Sequence, residues 1–145
     1  MEKSDRKRKF LIATHGTFAA GIKSSLDIII GAMENVFLLQ AYIDENILVE
    51  MQIKEISEQL NDDDELIVFS DILGGSITNQ ILQTLLKPNV HIVSGFNLPL
   101  VIDVLLADAA TPVEEVINTS IDNAKEQMVY VNKLLASQNT PANND

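Results

Sequence analysis

Four short apolar runs punctuate the chain: Phe10 to Ala13, Val36 to Ala41, Leu66 to Phe69 and Val90 to Val93. Runs this short and this continuous predict strands buried on both faces of a parallel sheet. Between them the apolar spacing changes to that of helices. After Gly16, residues Phe18, Ile22, Leu26, Ile29 and Ile30 form one stripe, with Thr17 or Gly16 placed as its cap and Gly31 as its stop. Val49, Ile53, Ile56 and Leu60 form a second, and Glu50 and Lys54 sit on its wet face at the favourable four-residue spacing. Ile77, Ile81, Leu82 and Leu85 form a third, ended by Lys87-Pro88-Asn89. A fourth has Pro99 in its first turn and Val101, Ile102, Leu105 and Leu106 inside. Thr111-Pro112-Val113-Glu114 reads as a helix start with Thr111 as cap and Glu114 reaching back, leading a stripe of Val113, Ile117, Ile121 and Ala124.

Strands alternating with helices predict an α/β fold. The expected form is a doubly wound open sheet of four parallel strands, in the order 2-1-3-4, with helices on both faces. Residues 9–136 are read as a single domain, 1–8 as a basic disordered leader and 137–145 as a disordered polar tail. Met128 to Asn132, β-branched and aromatic, reads either as a short strand or as the preceding helix continuing.

Composition narrows the chemistry. The 145 residues contain no cysteine, which excludes disulfides, thiol catalysis and thiolate metal sites, and only two histidines. The three adjacent aspartates Asp62 to Asp64 lack the central glycine and downstream glutamate of an EF-hand loop, so they read as a solvated connection and no metal site is expected. No apolar run approaches a membrane span, and the basic start lacks the apolar stretch of a signal peptide; a cytoplasmic location is expected. A net charge of -11 argues against nucleic-acid binding, because a polyanion gains nothing from an acidic surface.

Candidate chemistry collects at strand ends. His15 ends the first strand, and Asp71 is the first charged group past the third. In an open α/β sheet the crevice outside the carboxyl ends, where winding reverses, is the ligand position, and neighbouring first and third strands bring these residues together there. A carboxylate on one ring nitrogen fixes the imidazole tautomer and leaves the other nitrogen's lone pair facing outward, as a nucleophilic or basic histidine requires. Gly74-Gly75-Ser76 then offers close backbone approach and a helix N-terminus to an anion. The three together describe a histidine facing a phosphoryl-sized pocket. His91, inside the fourth strand between Val90 and Ile92, reads as having a structural or edge role.

These motifs resemble the enzyme IIA components of the mannose type of the bacterial phosphoenolpyruvate-dependent sugar phosphotransferase system. The resemblance runs from Phe10 to about Leu135. It rests on Thr14-His15-Gly16, on Ser70-Asp71-Ile72-Leu73-Gly74-Gly75-Ser76 and on Gly95-Phe96-Asn97-Leu98-Pro99. It implies that His15 accepts a phosphoryl group from the phosphocarrier protein HPr and passes it to a histidine of an enzyme IIB, serving the membrane components IIC and IID indirectly. Asp71 would hold the ring nitrogen remote from phosphorus, and Ser76 with Gly74 and Gly75 would hold phosphoryl oxygens. No metal or organic cofactor is then required. The resemblance also implies a homodimer in which Met128 to Asn132 crosses to the other subunit's sheet. Two departures alter the partner-facing rim: Ile77 stands where many members carry proline, and Ile72-Leu73 replaces bulkier pairs. Two other readings share the constellation, the phosphotransferase subunit of dihydroxyacetone kinase and a noncatalytic anion-binding regulatory module.

Overall fold

The computed structural model describes residues 7–138. The chain runs β1 (Arg8–His15), α1 (Phe18–Ile29), β2 (Val36–Ala41), α2 (Val49–Glu58), β3 (Glu65–Ser70), α3 (Ser76–Thr84), β4 (Val90–Ser94), α4 (Leu98–Leu106), α5 (Val113–Lys125) and α6 (Val131–Gln138). The strands form one sheet in the order β2-β1-β3-β4, every pairing parallel. The expected architecture and strand order are therefore observed.

Side-chain alternation along β1 divides the core. Phe10 and Ile12 join Ile67, Phe69 and Val93 on one face, covered by Ala19, Ile22 and Leu26 of α1, Leu100, Val101 and Val104 of α4, and Val113 and Val116 of α5. Leu11 and Ala13 join Leu39, Leu66 and Val68 on the other, covered by Val49, Ile53 and Ile56 of α2 and Ile77 and Ile81 of α3. Both sheet faces are dry, which is why these strands read as continuous apolar runs. The crossover from β1 to β2 and that from β3 to β4 lie on opposite faces. Winding thus reverses between β1 and β3, and the crevice opens there.

Local details depart from the sequence reading where long-range partners decide. Arg8 belongs to β1 rather than to a leader: its guanidinium donates to the carbonyls of Asp108, Ala109 and Thr111 beyond α4. Asp64 is not a solvated loop residue. It is buried, 2.7 Å from the Lys9 ammonium, and accepts from the Asn61 amide at 2.8 Å. Burial pushes its carboxyl up, but the Lys9 and Asn61 hydrogen bonds and the charges of Lys9 and Lys7 outweigh this and hold it below the usual value. In α5, Pro112 rather than Thr111 is the N-cap, and no side-chain capping bond forms. In α3 the buried stripe is Ile77, Thr78 and Ile81, while Leu82 faces out.

Met128 to Asn132 is neither a strand nor a continuation of α5. The helix ends at Lys125, Met128 to Tyr130 lie outside helix and strand, and Val131 and Asn132 open α6. A strand needs a ladder partner for its backbone groups, and the described residues supply none at this point. Ser137 and Gln138, expected in the tail, form the last turn of α6. The rest of the tail and residues 1–6 of the leader lie outside the described residues.

Candidate active site at the carboxyl ends of the strands

The parallel register sets the site's geometry. His15 is paired with Ala41 of β2, and Ala13 with Ser70 of β3, so Tyr42 and Asp71 are the next residues out on the strands flanking His15. The Gly16 amide donates to the Ala41 carbonyl at 2.8 Å, carrying the β1–β2 contact right to the rim. Thr17, one of the two expected caps, is the N-cap of α1 but makes no side-chain capping bond; fully buried Thr14 supplies one from inside the strand, accepting from the Ala19 amide at 2.8 Å.

Asp71 grips His15 twice with one oxygen. Its Oδ2 accepts from the His15 backbone amide at 2.9 Å and lies 2.9 Å from His15 Nδ1. The ring is thereby fixed at χ1 and in tautomer, with the proton on Nδ1 and the lone pair on Nε2. The His15 side chain is 44% exposed and that of Asp71 only 11%, so the carboxylate is a largely covered support beneath an open imidazole. Burial pushes the Asp71 carboxyl up, but the backbone and ring hydrogen bonds from His15, with its charge, outweigh burial and hold it below its ordinary value.

The glycine loop lies against the same ring. Gly74 has φ +75, a left-handed conformation that lets the chain turn sharply into α3. A Cβ at Gly75 would meet the Ile72 carbonyl at 3.3 Å and His15 Cε1 at 3.9 Å, so only glycine leaves this approach unfilled. Gly75 is also the N-cap of α3, with no side-chain capping bond, and the first amides of the helix have no intrahelical acceptor. Those amides and the helix dipole favour an anion at the loop. Thr78 anchors the loop from below, its hydroxyl 2.8 Å from Ser70 Oγ and 2.9 Å from the Ile72 carbonyl. His15, Asp71, Gly74, Gly75 and Ser76 thus share one end of the sheet.

Tyr42 completes the cluster, and sequence reading passed over it. Its hydroxyl is 2.7 Å from Ser76 Oγ and its ring centroid 5.6 Å from that of His15. The signal was present, since Tyr42 is the first residue past β2 just as Asp71 is the first past β3. His91 takes no part: it bonds Glu65 through Nε2 at 2.9 Å on the sheet's far half, as a structural role requires. No group of three or more histidine, aspartate or glutamate side chains able to hold a metal occurs among the described residues. Nor is any described helix long and apolar enough to cross a membrane.

Known proteins share this fold. A structure of a candidate phosphoenolpyruvate-dependent sugar phosphotransferase system permease from Klebsiella pneumoniae matches with 35% identity and a TM-score of 0.86, over 94% of this chain and 99% of that one. A IIA protein associated with the fucose utilization operon of Streptococcus pneumoniae matches at 28% identity and TM-score 0.73, over 90% and 97%. A phosphotransferase system component EIIA from Streptococcus agalactiae matches at 25% and 0.71, over 87% and 98%. The family model described as the phosphotransferase system fructose IIA component, EIIA-man, matches residues 9–121, and the chain belongs to that family.

Proposed function

We propose that this protein is a phosphocarrier that takes a phosphoryl group onto His15 Nε2 from the phosphohistidine of HPr and delivers it to a histidine of an enzyme IIB. The observation that carries the reading is the double hold of Asp71 Oδ2 on the His15 amide and Nδ1, which turns Nε2 outward beside an anion-ready helix start. In the forward step the Nε2 lone pair attacks phosphorus. A P–N bond forms to His15 as the donor's P–N bond breaks, and the donor imidazole leaves with its electron pair. The His15 ring gains imidazolium character with its Nδ1 proton facing Asp71, whose negative charge offsets it. The second step repeats the exchange with His15 as leaving group. Transfer between like nitrogens is nearly balanced in energy, so the protein's contribution is positioning and charge stabilisation.

The open setting suits a macromolecular partner. Phe18, Ile72 and Leu73 are exposed at this end of the sheet, an apolar rim around a histidine that a docked protein surface would cover. A homodimer belongs to the same proposal. Met128, Val129, Tyr130, Val131, Leu134 and Leu135 are all exposed in the single chain, and a second copy would bury them. Sedimentation equilibrium should give about twice the 16.0 kDa of the chain; a monomer mass at micromolar concentration would remove the dimer from the proposal.

Phosphoenolpyruvate, enzyme I and HPr should yield an acid-labile phosphoprotein, and His15→Ala should take up none. Undiminished uptake by His15→Ala would overturn the assignment.

A further inference from the structure

We infer that Tyr42 is a positioning residue for phosphoryl transfer, acting through Ser76; the inference rests on the phosphocarrier reading above. Three independent observations converge on it. Among the described residues Tyr42 is the only non-glycine with positive φ, at 66°. A bulky side chain held in the left-handed region persists only where its surroundings determine it, and such residues concentrate at functional sites. Its hydroxyl is 2.7 Å from Ser76 Oγ, on the first residue of α3. Its ring lies 5.6 Å from His15, tilted by 39°.

The hydrogen count gives the hydroxyl its role. Tyr42 and Ser76 each carry one O–H, and the bond between them uses one hydrogen. With an anion at the start of α3, Ser76 must spend its own hydrogen on that anion, so it accepts from Tyr42. The phenol, the more acidic hydroxyl, is the natural donor. The result is a chain from Tyr42 to Ser76 to a phosphoryl oxygen in which each bond polarises the next. Without the phenol, Ser76 is free to rotate its hydrogen away, toward solvent or a backbone carbonyl.

Tyr42→Phe keeps the ring beside His15 and removes only the hydroxyl. With wild type, Tyr42→Phe, Ser76→Ala and the double variant, the initial rate of phosphoryl uptake from phospho-HPr and the phosphorus NMR shift of the phosphohistidine are measured. Tyr42→Phe should slow uptake roughly threefold to tenfold, the range of one neutral hydrogen bond, and move the phosphorus resonance. In the Ser76→Ala background the same change should have no further effect on either readout, because the group it acts through is gone. A Tyr42→Phe protein that matches wild type, or one whose loss is undiminished on top of Ser76→Ala, overturns the inference while leaving the carrier reading intact. A wild-type protein that takes up no phosphoryl group at His15 overturns both.

Discussion

The molecule contains two imidazole–carboxylate pairs of equal length, His15 with Asp71 and His91 with Glu65, each at 2.9 Å. One sits in the candidate active site and the other at the opposite end of the sheet, between the starts of β3 and the edge strand β4. The pairing itself therefore confers no function. What differs is the nitrogen left over. His15 spends Nδ1 and its backbone amide on the carboxylate, which leaves Nε2 over on a ring whose Cε1 edge lies against Gly75, the N-cap of α3. His91 spends Nε2 on a glutamate at the first position of β3 and lies within β4, in register with Ile67. A histidine becomes a candidate nucleophile through what surrounds its free nitrogen.

The sharpest way to test the comparison is to change the carboxylate while keeping its shape. Asp71→Asn can still accept from the His15 amide but no longer offsets charge on the ring. The expected loss is about tenfold to two-hundredfold in phosphoryl uptake, the range for a hydrogen bond to a charged partner. The same variant carries a pH signature. The Asp71 carboxyl is held lower in the folded protein than in the unfolded chain, so its stabilisation is fully present above the unfolded value, about 3.9, and is lost as pH falls through the lower folded value. Urea titrations of wild type and Asp71→Asn should therefore converge in strong acid and separate toward neutrality. Equal uptake rates in the two proteins would show that Asp71 does no more for His15 than Glu65 does for His91.

The difference between the two histidines was largely legible in the sequence. His15 and Asp71 stand just past apolar runs, and the runs fix the strands; a parallel sheet then fixes which ends meet. His91 lies between Val90 and Ile92, inside a run, where no crevice can form. Illegible were the features that depend on partners far along the chain. Asp64 is one of three adjacent aspartates, and only Lys9, a residue of β1, singles it out. Thr14 caps α1 from within a strand because its side chain points at the Ala19 amide, whereas cap rules look immediately before the helix. Tyr42 was passed over, since its place just past β2 was legible but an aromatic residue there carries no charge to mark it. Its backbone conformation and its bond to Ser76 exist only once β2 and α3 are side by side. Met128 to Asn132 has strand composition, but a strand is a relation between two segments.

The smallest expected effect is also the one that tests the comparison from the other side. His91→Gln replaces the imidazole that bonds Glu65 with a neutral amide, at a position where both side chains are partly exposed, 26% and 19%. Solvent screens a pair of this kind, and its loss should cost no more than about 1 kcal/mol of stability. Glutamine can still donate toward Glu65 and fits the same strand surface, so the sheet has little reason to rearrange. Phosphoryl uptake from phospho-HPr should stay at the wild-type rate, because His91 lies near the start of β4, in register with Ile67, whereas the site lies past the carboxyl ends of the strands. A large loss of uptake with stability intact would mean that the edge strand communicates with His15, and the two pairs could no longer be treated as separate.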